Sequence, residues 1–379
     1  MYRFLFAVLL IFAIPYAGFA FAEEPRFSTY REIASVIVDQ RISNNVTASV
    51  SLQTTSIQEF RVSPELDAKI RDNQEIVAIA ITNEGQCVLG VYEQICILVN
   101  SKRTPGVGIT ETQQKARQIG DSLIDDINSA FGLKAQFHSV FLHYDDESNR
   151  ALETTGEVSG AGTVSAVYTA PMQNTDFMFN RISGILIPSQ IRELGGFYDT
   201  ASALSKDDSS RMSFTMLPKK EGVIMQLKVS EKYPHIARDL VSVKPLDFLK
   251  VSQIKKSDYY AVGFFPLNSL VHVVILPLDN VTKAHANSVI EPTIKDGQSV
   301  PSDLSKSGWF FNSESGQKID AVYLFGTEFS ATSDDLAITF GEQEENPEMK
   351  FDESYILIGI GVAAAAAAAY YLKGFRAKS

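Results

Sequence analysis

Apolar and polar residues alternate through Val46, Ala48, Val50 and Leu52, which predicts a half-exposed strand, and Ile76 to Thr82 is a continuous apolar run of strand length. Before them, the stretch from Thr29 to Asp39 reads as a short helix. Ser63-Pro64 followed by Glu65 to Ile70 reads as a second one, with proline at its first position. The clearest helical pattern runs from Glu111 to Phe131, where Ala116, Ile119, Leu123, Ile127 and Phe131 recur at three- and four-residue spacing. Thr110 and Gln113 form a capping-box arrangement at its start, and Gly132 closes it. Strands are expected over Ala135–Tyr144 and Gly162–Thr169, and helices over Asp176–Leu186 and Pro188–Leu204. The succession predicts an α+β region: an N-terminal antiparallel sheet with covering helices.

Past a linker-like Lys206 to Ser210 the pattern changes to short strands: Met212–Leu217, Val223–Val229, Tyr259–Phe265, Leu270–Leu276, Trp309–Asn312, Ile319–Phe325 and Leu336–Phe340. A helical stretch near Leu246–Lys255 interrupts them. A β-rich, sandwich-like second domain is expected, with one continuous α+β domain as the alternative.

The two ends carry a different pattern. Arg3, the apolar core from Phe4 to about Ala17, and Ala20-Phe21-Ala22 before Glu23 and Glu24 have the order of a secretory signal cleaved after Ala22. An uncleaved anchor is the alternative. Tyr355 to Leu372 is an uncharged run long enough to cross a bilayer once, at about 1.5 Å per residue against a hydrocarbon core of about 30 Å. Carboxylates precede it (Glu342, Glu344, Glu345, Glu348, Asp352 and Glu353), and Lys373, Arg376 and Lys378 follow it. The basic flank is therefore expected in the cytoplasm. The organisation predicted is a signal peptide over 1–22, an α+β extracytoplasmic domain over 23–205, a β-rich domain over 206–340, an acidic stem over 341–354, a transmembrane helix over 355–372 and a basic cytoplasmic tail over 373–379. Gly359, Gly361 and Ala363 leave room on that helix for another helix to approach.

Composition narrows the partners. Hydrophobic residues make up 45 % of the chain, ample for packed cores, and the formal net charge of -11 argues against nucleic acid or anionic lipid as the main partner. Cys87 and Cys96 are the two cysteines, and in an oxidising compartment an isolated pair points to a disulfide. A hairpin turning near Val91 and Tyr92 sets them face to face across two strands. Free buried thiols and a redox pair are the alternatives. Asn45-Val46-Thr47 and Asn280-Val281-Thr282 are glycosylation sequons.

Catalytic signals are sparse. His143 stands beside Asp145 and Asp146 at a strand end, a weak acid–base candidate, and His138 lies an odd number of residues before it, so one strand sends the two to opposite faces. His272, inside an apolar strand pattern, reads as a histidine satisfied by a hydrogen bond. Lys102, Arg103, Gly106 and Gly108 precede the capped helix and form a weak anion-binding candidate. No metal site and no cofactor are expected, and no nucleophile motif is present. The layout of the two ends resembles that of exported archaeal and bacterial surface proteins tethered by one C-terminal helix. The function expected is a noncatalytic interaction or structural role at the cell surface, as an accessory subunit of an envelope complex, with a protein partner or self-association. A small-ligand or glycan-binding module and an extracytoplasmic hydrolase are the alternatives.

Overall fold

A computed structural model of the chain describes residues 27–41, 45–56, 64–84, 94–101, 109–144, 162–171, 173–185, 188–219, 222–233, 241–256, 269–295, 297–328 and 330–342. Within them the chain order is β1 (Phe27–Asp39), β2 (Asn45–Ser56), α1 (Pro64–Asp72), β3 (Ile76–Thr82), β4 (Gln94–Ser101), α2 (Ile109–Phe131), β5 (Gln136–Tyr144), β6 (Gly162–Thr169), α3 (Thr175–Ile185) and α4 (Pro188–Ser205). There follow β7 (Arg211–Lys219), β8 (Gly222–Tyr233), β9 (Ser242–Val243), α5 (Pro245–Leu249), β10 (Gln253–Lys255), β11 (Ser269–Leu276), β12 (Val281–Ala286), β13 (Pro292–Lys295), β14 (Gln298–Pro301), β15 (Ser307–Ser315), β16 (Lys318–Phe325), β17 (Ser330–Thr332) and β18 (Ile338–Glu342). The fold is a β-rich α+β fold.

One eleven-stranded sheet dominates, in the order β15-β16-β11-β1-β2-β8-β7-β3-β4-β6-β5. Neighbours are antiparallel except β1 and β11, which run parallel. Alternation decides which residues face inward. Ala34, Val36 and Val38 of β1, Val46, Ala48 and Val50 of β2, and Val271, Val273 and Ile275 of β11 are all wholly buried on one side of the sheet. Helices α4 and α5 cover that side over β1 and β2, and α2 covers β4, β5 and β6. In α2 the expected stripe is the buried one: Ala116, Leu123, Ile127 and Phe131 are buried and Ile119 is half-buried. Gly132 ends α2 at φ +65, a left-handed turn that suits glycine.

On the sheet's opposite side Ile290 and Leu304 pack on Phe310, Val322 and Leu324 at the β15–β16 corner, and Cys96, Ser165 and Val167 are buried on β4 and β6. Across β8, β2, β1 and β11 that side is half-open. Ser35, Ser49, Ser51, His272 and Val274 are half-buried there, and Ile37 is 42 % exposed.

Two expectations are corrected. Thr29–Asp39 belongs to a strand, because β-branched Val36, Ile37 and Val38 fit a pleated ladder and β1 gains backbone partners on both edges, from β2 and β11. The helical stretch after Pro245 is only α5, stopped by Lys250 in the left-handed region (φ 58), and β10 follows. Cys96 lies opposite Ala80 of β3 and Val167 of β6, and Cys87 lies outside the described residues. Strands from before and after residue 206 alternate within the main sheet: β1 and β2 sit between β11 and β8. Tyr259–Phe265 and Tyr355–Leu372 lie outside the described residues, among which no helix is long and apolar enough to cross a membrane.

Candidate functional site

The half-open side of the sheet carries one transverse row of residues in cross-strand register: Ser230 of β8, Ser49 of β2, Ser35 of β1, His272 of β11, Val322 of β16 and Phe310 of β15. The period of two that buries Ala34, Ala48 and Val273 sends these alternates to the other side. Small hydroxyls in the middle of the row keep the surface low, so the imidazole of His272 stands at the boundary between a hydroxylic half and an apolar half.

His272 is held by Asp320. Its Nε2 lies 3.2 Å from Asp320 Oδ1, the side chains being 34 % and 14 % exposed. Asn312 Nδ2 donates to the same oxygen at 3.1 Å, and Lys318 Nζ lies 2.5 Å from Oδ2. Burial pushes the Asp320 carboxyl up, but hydrogen bonds from His272, Lys318 and Asn312 outweigh it and hold the group well below the usual carboxylate range. The arrangement fixes the orientation of one ring in the face. It places a positioned hydrogen-bonding group between apolar neighbours.

A second charged cluster ties elements together on the helix-covered side. Lys250 Nζ lies 2.7 Å from both Asp207 Oδ2 and Glu231 Oε2, and the Tyr233 hydroxyl lies 2.9 Å from Glu231 Oε2 and 2.6 Å from the Phe248 carbonyl oxygen. Burial lowers the Lys250 ammonium's pKa, but its bonds to Asp207 and Glu231 outweigh that and raise it. The hydrogen bond from Lys250, with those from the Ser209 hydroxyl and N–H, holds Asp207 far below its ordinary value. Burial raises the Tyr233 phenol, and Glu231 raises it further. These groups clamp the 206–210 turn to β8 and α5, a structural task.

Some of the residues singled out in the sequence lie among the described residues and others lie outside them. His143 occupies the ladder position opposite Thr163 near the end of β5, while Asp145 and Asp146 lie outside the described residues. His138 falls at the β5 bulge, exposed, with Nδ1 2.7 Å from Ser139 Oγ. Cys96 is wholly buried, and Cys87 lies outside the described residues. Lys102, Arg103, Gly106 and Gly108 lie outside them, as do Gly359, Gly361 and Ala363. Asn280 is exposed and Asn45 half-buried. His272 has the hydrogen-bond partner its apolar setting required, and that partner, Asp320, was not singled out. The signal was present in Lys318-Ile-Asp-Ala-Val-Tyr-Leu-Phe325, where one carboxylate breaks an apolar strand pattern.

Among the described residues no group of three or more His, Cys, Asp or Glu side chains could hold a metal ion. A shallow depression between α1 and α2 is lined by Lys69, Asp72, Asn73, Gln74, Ser122 and Leu123. Lys69 is already spent on Asp126 Oδ2 at 2.5 Å and on the Ser122 carbonyl oxygen at 3.3 Å. No protein-family model and no curated protein matches this chain.

Proposed function

We propose that the chain is an exported, membrane-held protein whose β-rich ectodomain works by noncatalytic contact with another protein at the cell surface, as an accessory subunit of an envelope assembly. The observation that supports this reading is the broad half-open face over β8, β2, β1 and β11, in which apolar Ile33, Ile37, Leu270 and Val274 surround hydroxyls and an oriented imidazole. Central strands of a large sheet are ordinarily covered on both sides or presented to solvent with polar side chains. This face is mixed, as protein–protein contact surfaces are. The segment over 355–372 would hold the ectodomain at the membrane, with 341–354 as stem and the basic tail inside. A bridge between Cys87 and Cys96 would reach Cys96 over a face of the sheet, since both ladder positions beside it are filled.

Crosslinking in intact cells of the producing organism, followed by mild detergent extraction, tests the reading. A crosslinked partner or dimer is expected. Ser35→Arg and Ser49→Arg, placed in the middle of the face, should abolish the crosslink and leave the melting temperature nearly unchanged. Recovery of monomer alone from wild-type cells removes the proposal. Alkaline carbonate extraction tests the anchor separately: the full chain should stay with membranes, and a chain ending at Glu342 should be released.

A further inference from the structure

The two sequons, equal in sequence, sit in different physical settings. Asn280 ends the exposed turn Leu278-Asp279-Asn280 between β11 and β12, and Leu278 is 53 % exposed. Immediately after it the chain is pinned: Val281 N–H donates to the Gly316 carbonyl oxygen at 3.0 Å, and Gly316 N–H donates back to Val281 at 2.8 Å. Asn280 is thus the last residue outside the ladder, presented on a rigid base. A bulky substituent there extends into solvent and displaces no packed atom.

Asn45 is the first residue of β2, in ladder register with Asp39 of β1. Its residue is half-buried, and its Oδ1 is shut off from water without a hydrogen-bond partner. An oligosaccharide on Nδ2 of the same carboxamide would have to fit beside that enclosed oxygen. Val46, next in the sequon, is wholly buried in the core. Substitution at Asn45 therefore works against the β1–β2 pairing at the centre of the sheet.

We infer that Asn280 is the N-glycosylation site of this protein and that Asn45 stays unmodified, an inference that rests on the export reading proposed above. The donor is a lipid-linked oligosaccharide diphosphate. A bond forms between the anomeric carbon of the first sugar and Asn280 Nδ2, the anomeric carbon–oxygen bond to the diphosphate breaks, the lipid diphosphate leaves, and Nδ2 gives one proton to a base of the transferase. Thr282, two residues on at the start of β12, completes the acceptor sequence. The product is a bulky solvating group beside the β15–β16 turn at Gly316. It leaves the half-open sheet face clear, because that face begins on the alternates of β11 and not in its following turn.

The full chain expressed in a glycosylating host, enzymatically deglycosylated in heavy-oxygen water and mapped by peptide mass spectrometry, decides it. Asn280 should carry the heavy-oxygen deamidation mark and Asn45 should not, and Asn280→Gln should remove the gel shift produced by deglycosylation. A control sequon made by T293N with K295T on the exposed β13 strand reports whether the ectodomain reaches the transferase. Occupancy at the control with Asn280 empty overturns this inference and leaves export intact. Equal occupancy of Asn45 and Asn280 overturns the selectivity, and an empty control together with an empty Asn280 removes both export and the inference.

Discussion

Lys250 Nζ sits 2.7 Å from Glu231 Oε2, and the Glu231 side chain is only 5 % exposed. The carboxylate lies between β8 and the end of α5, where an unpaired charge would be costly, so the lysine and the Tyr233 hydroxyl keep it satisfied. Lys250 also adopts the left-handed backbone that ends α5. A side chain with charge work to do therefore occupies a position whose backbone favours glycine.

Lys250→Gly separates those two demands. Glycine relaxes the backbone, so any loss of stability reports the charge cluster. A loss of about 2 kcal/mol is expected, below the roughly 3–5 kcal/mol for breaking a fully buried pair because Lys250 is a third exposed. Denaturant unfolding measures it. Unchanged or increased stability would show that Glu231 does not depend on the lysine.

Acid should unfold the protein through Asp207 and Asp320. Both carboxyls are lowered in the folded state, Asp207 chiefly by the hydrogen bond from Lys250, and Asp320 by bonds from His272, Lys318 and Asn312 that overcome burial. A folded pKa below the unfolded value of about 3.9 means the stabilisation is complete above about pH 5 and is lost as pH falls toward the folded values. Melting temperature measured from pH 6 down to pH 2 should drop. Asp320→Asn should lower it at pH 6 and flatten the acid limb, and an acid limb parallel to wild type would exclude Asp320 as a contributor.

Asn83 is a buried junction between the strand ladders and α3. Its Oδ1 accepts from Met212 N–H at 2.5 Å, and its Nδ2 donates to Thr175 Oγ1 at 3.0 Å, which in turn donates to the Ser210 carbonyl oxygen at 2.9 Å. Asn83→Ala leaves the Met212 donor unmet in a buried site, at an expected cost of about 2–3 kcal/mol. Hydrogen exchange should show the largest loss of protection in β7 next to β3. A uniform small loss over the whole sheet would place the junction elsewhere.

Gly196 lets α4 approach the backbone of β10. A Cβ there would stand 2.5 Å from Lys255 N, closer than real contacts allow. In a free helix Gly→Ala stabilises by about 1 kcal/mol, so Gly196→Ala should reverse that sign and destabilise by about 1–3 kcal/mol through overpacking. Thermal unfolding reads the sign directly.

The sequence by itself determined most of the local elements, because their signals are local. The stripe Ala116, Ile119, Leu123, Ile127 and Phe131 specifies α2, Gly132 ends it, and alternation from Val46 to Leu52 specifies which side of β2 is buried. Only the tertiary structure decided the partners of those elements. The parallel pairing of β1 with β11 joins residues more than two hundred positions apart, and no periodicity encodes it. That pairing turned Thr29–Asp39 from a helical pattern into a central strand. The same register set His272 beside Ser35, and the antiparallel pairing of β11 with β16 brought Asp320 within 3.2 Å of its ring. Each of these side chains is legible as an interruption in its own strand, but a strand's sequence fixes the side on which a residue lies and leaves open which neighbour it meets there.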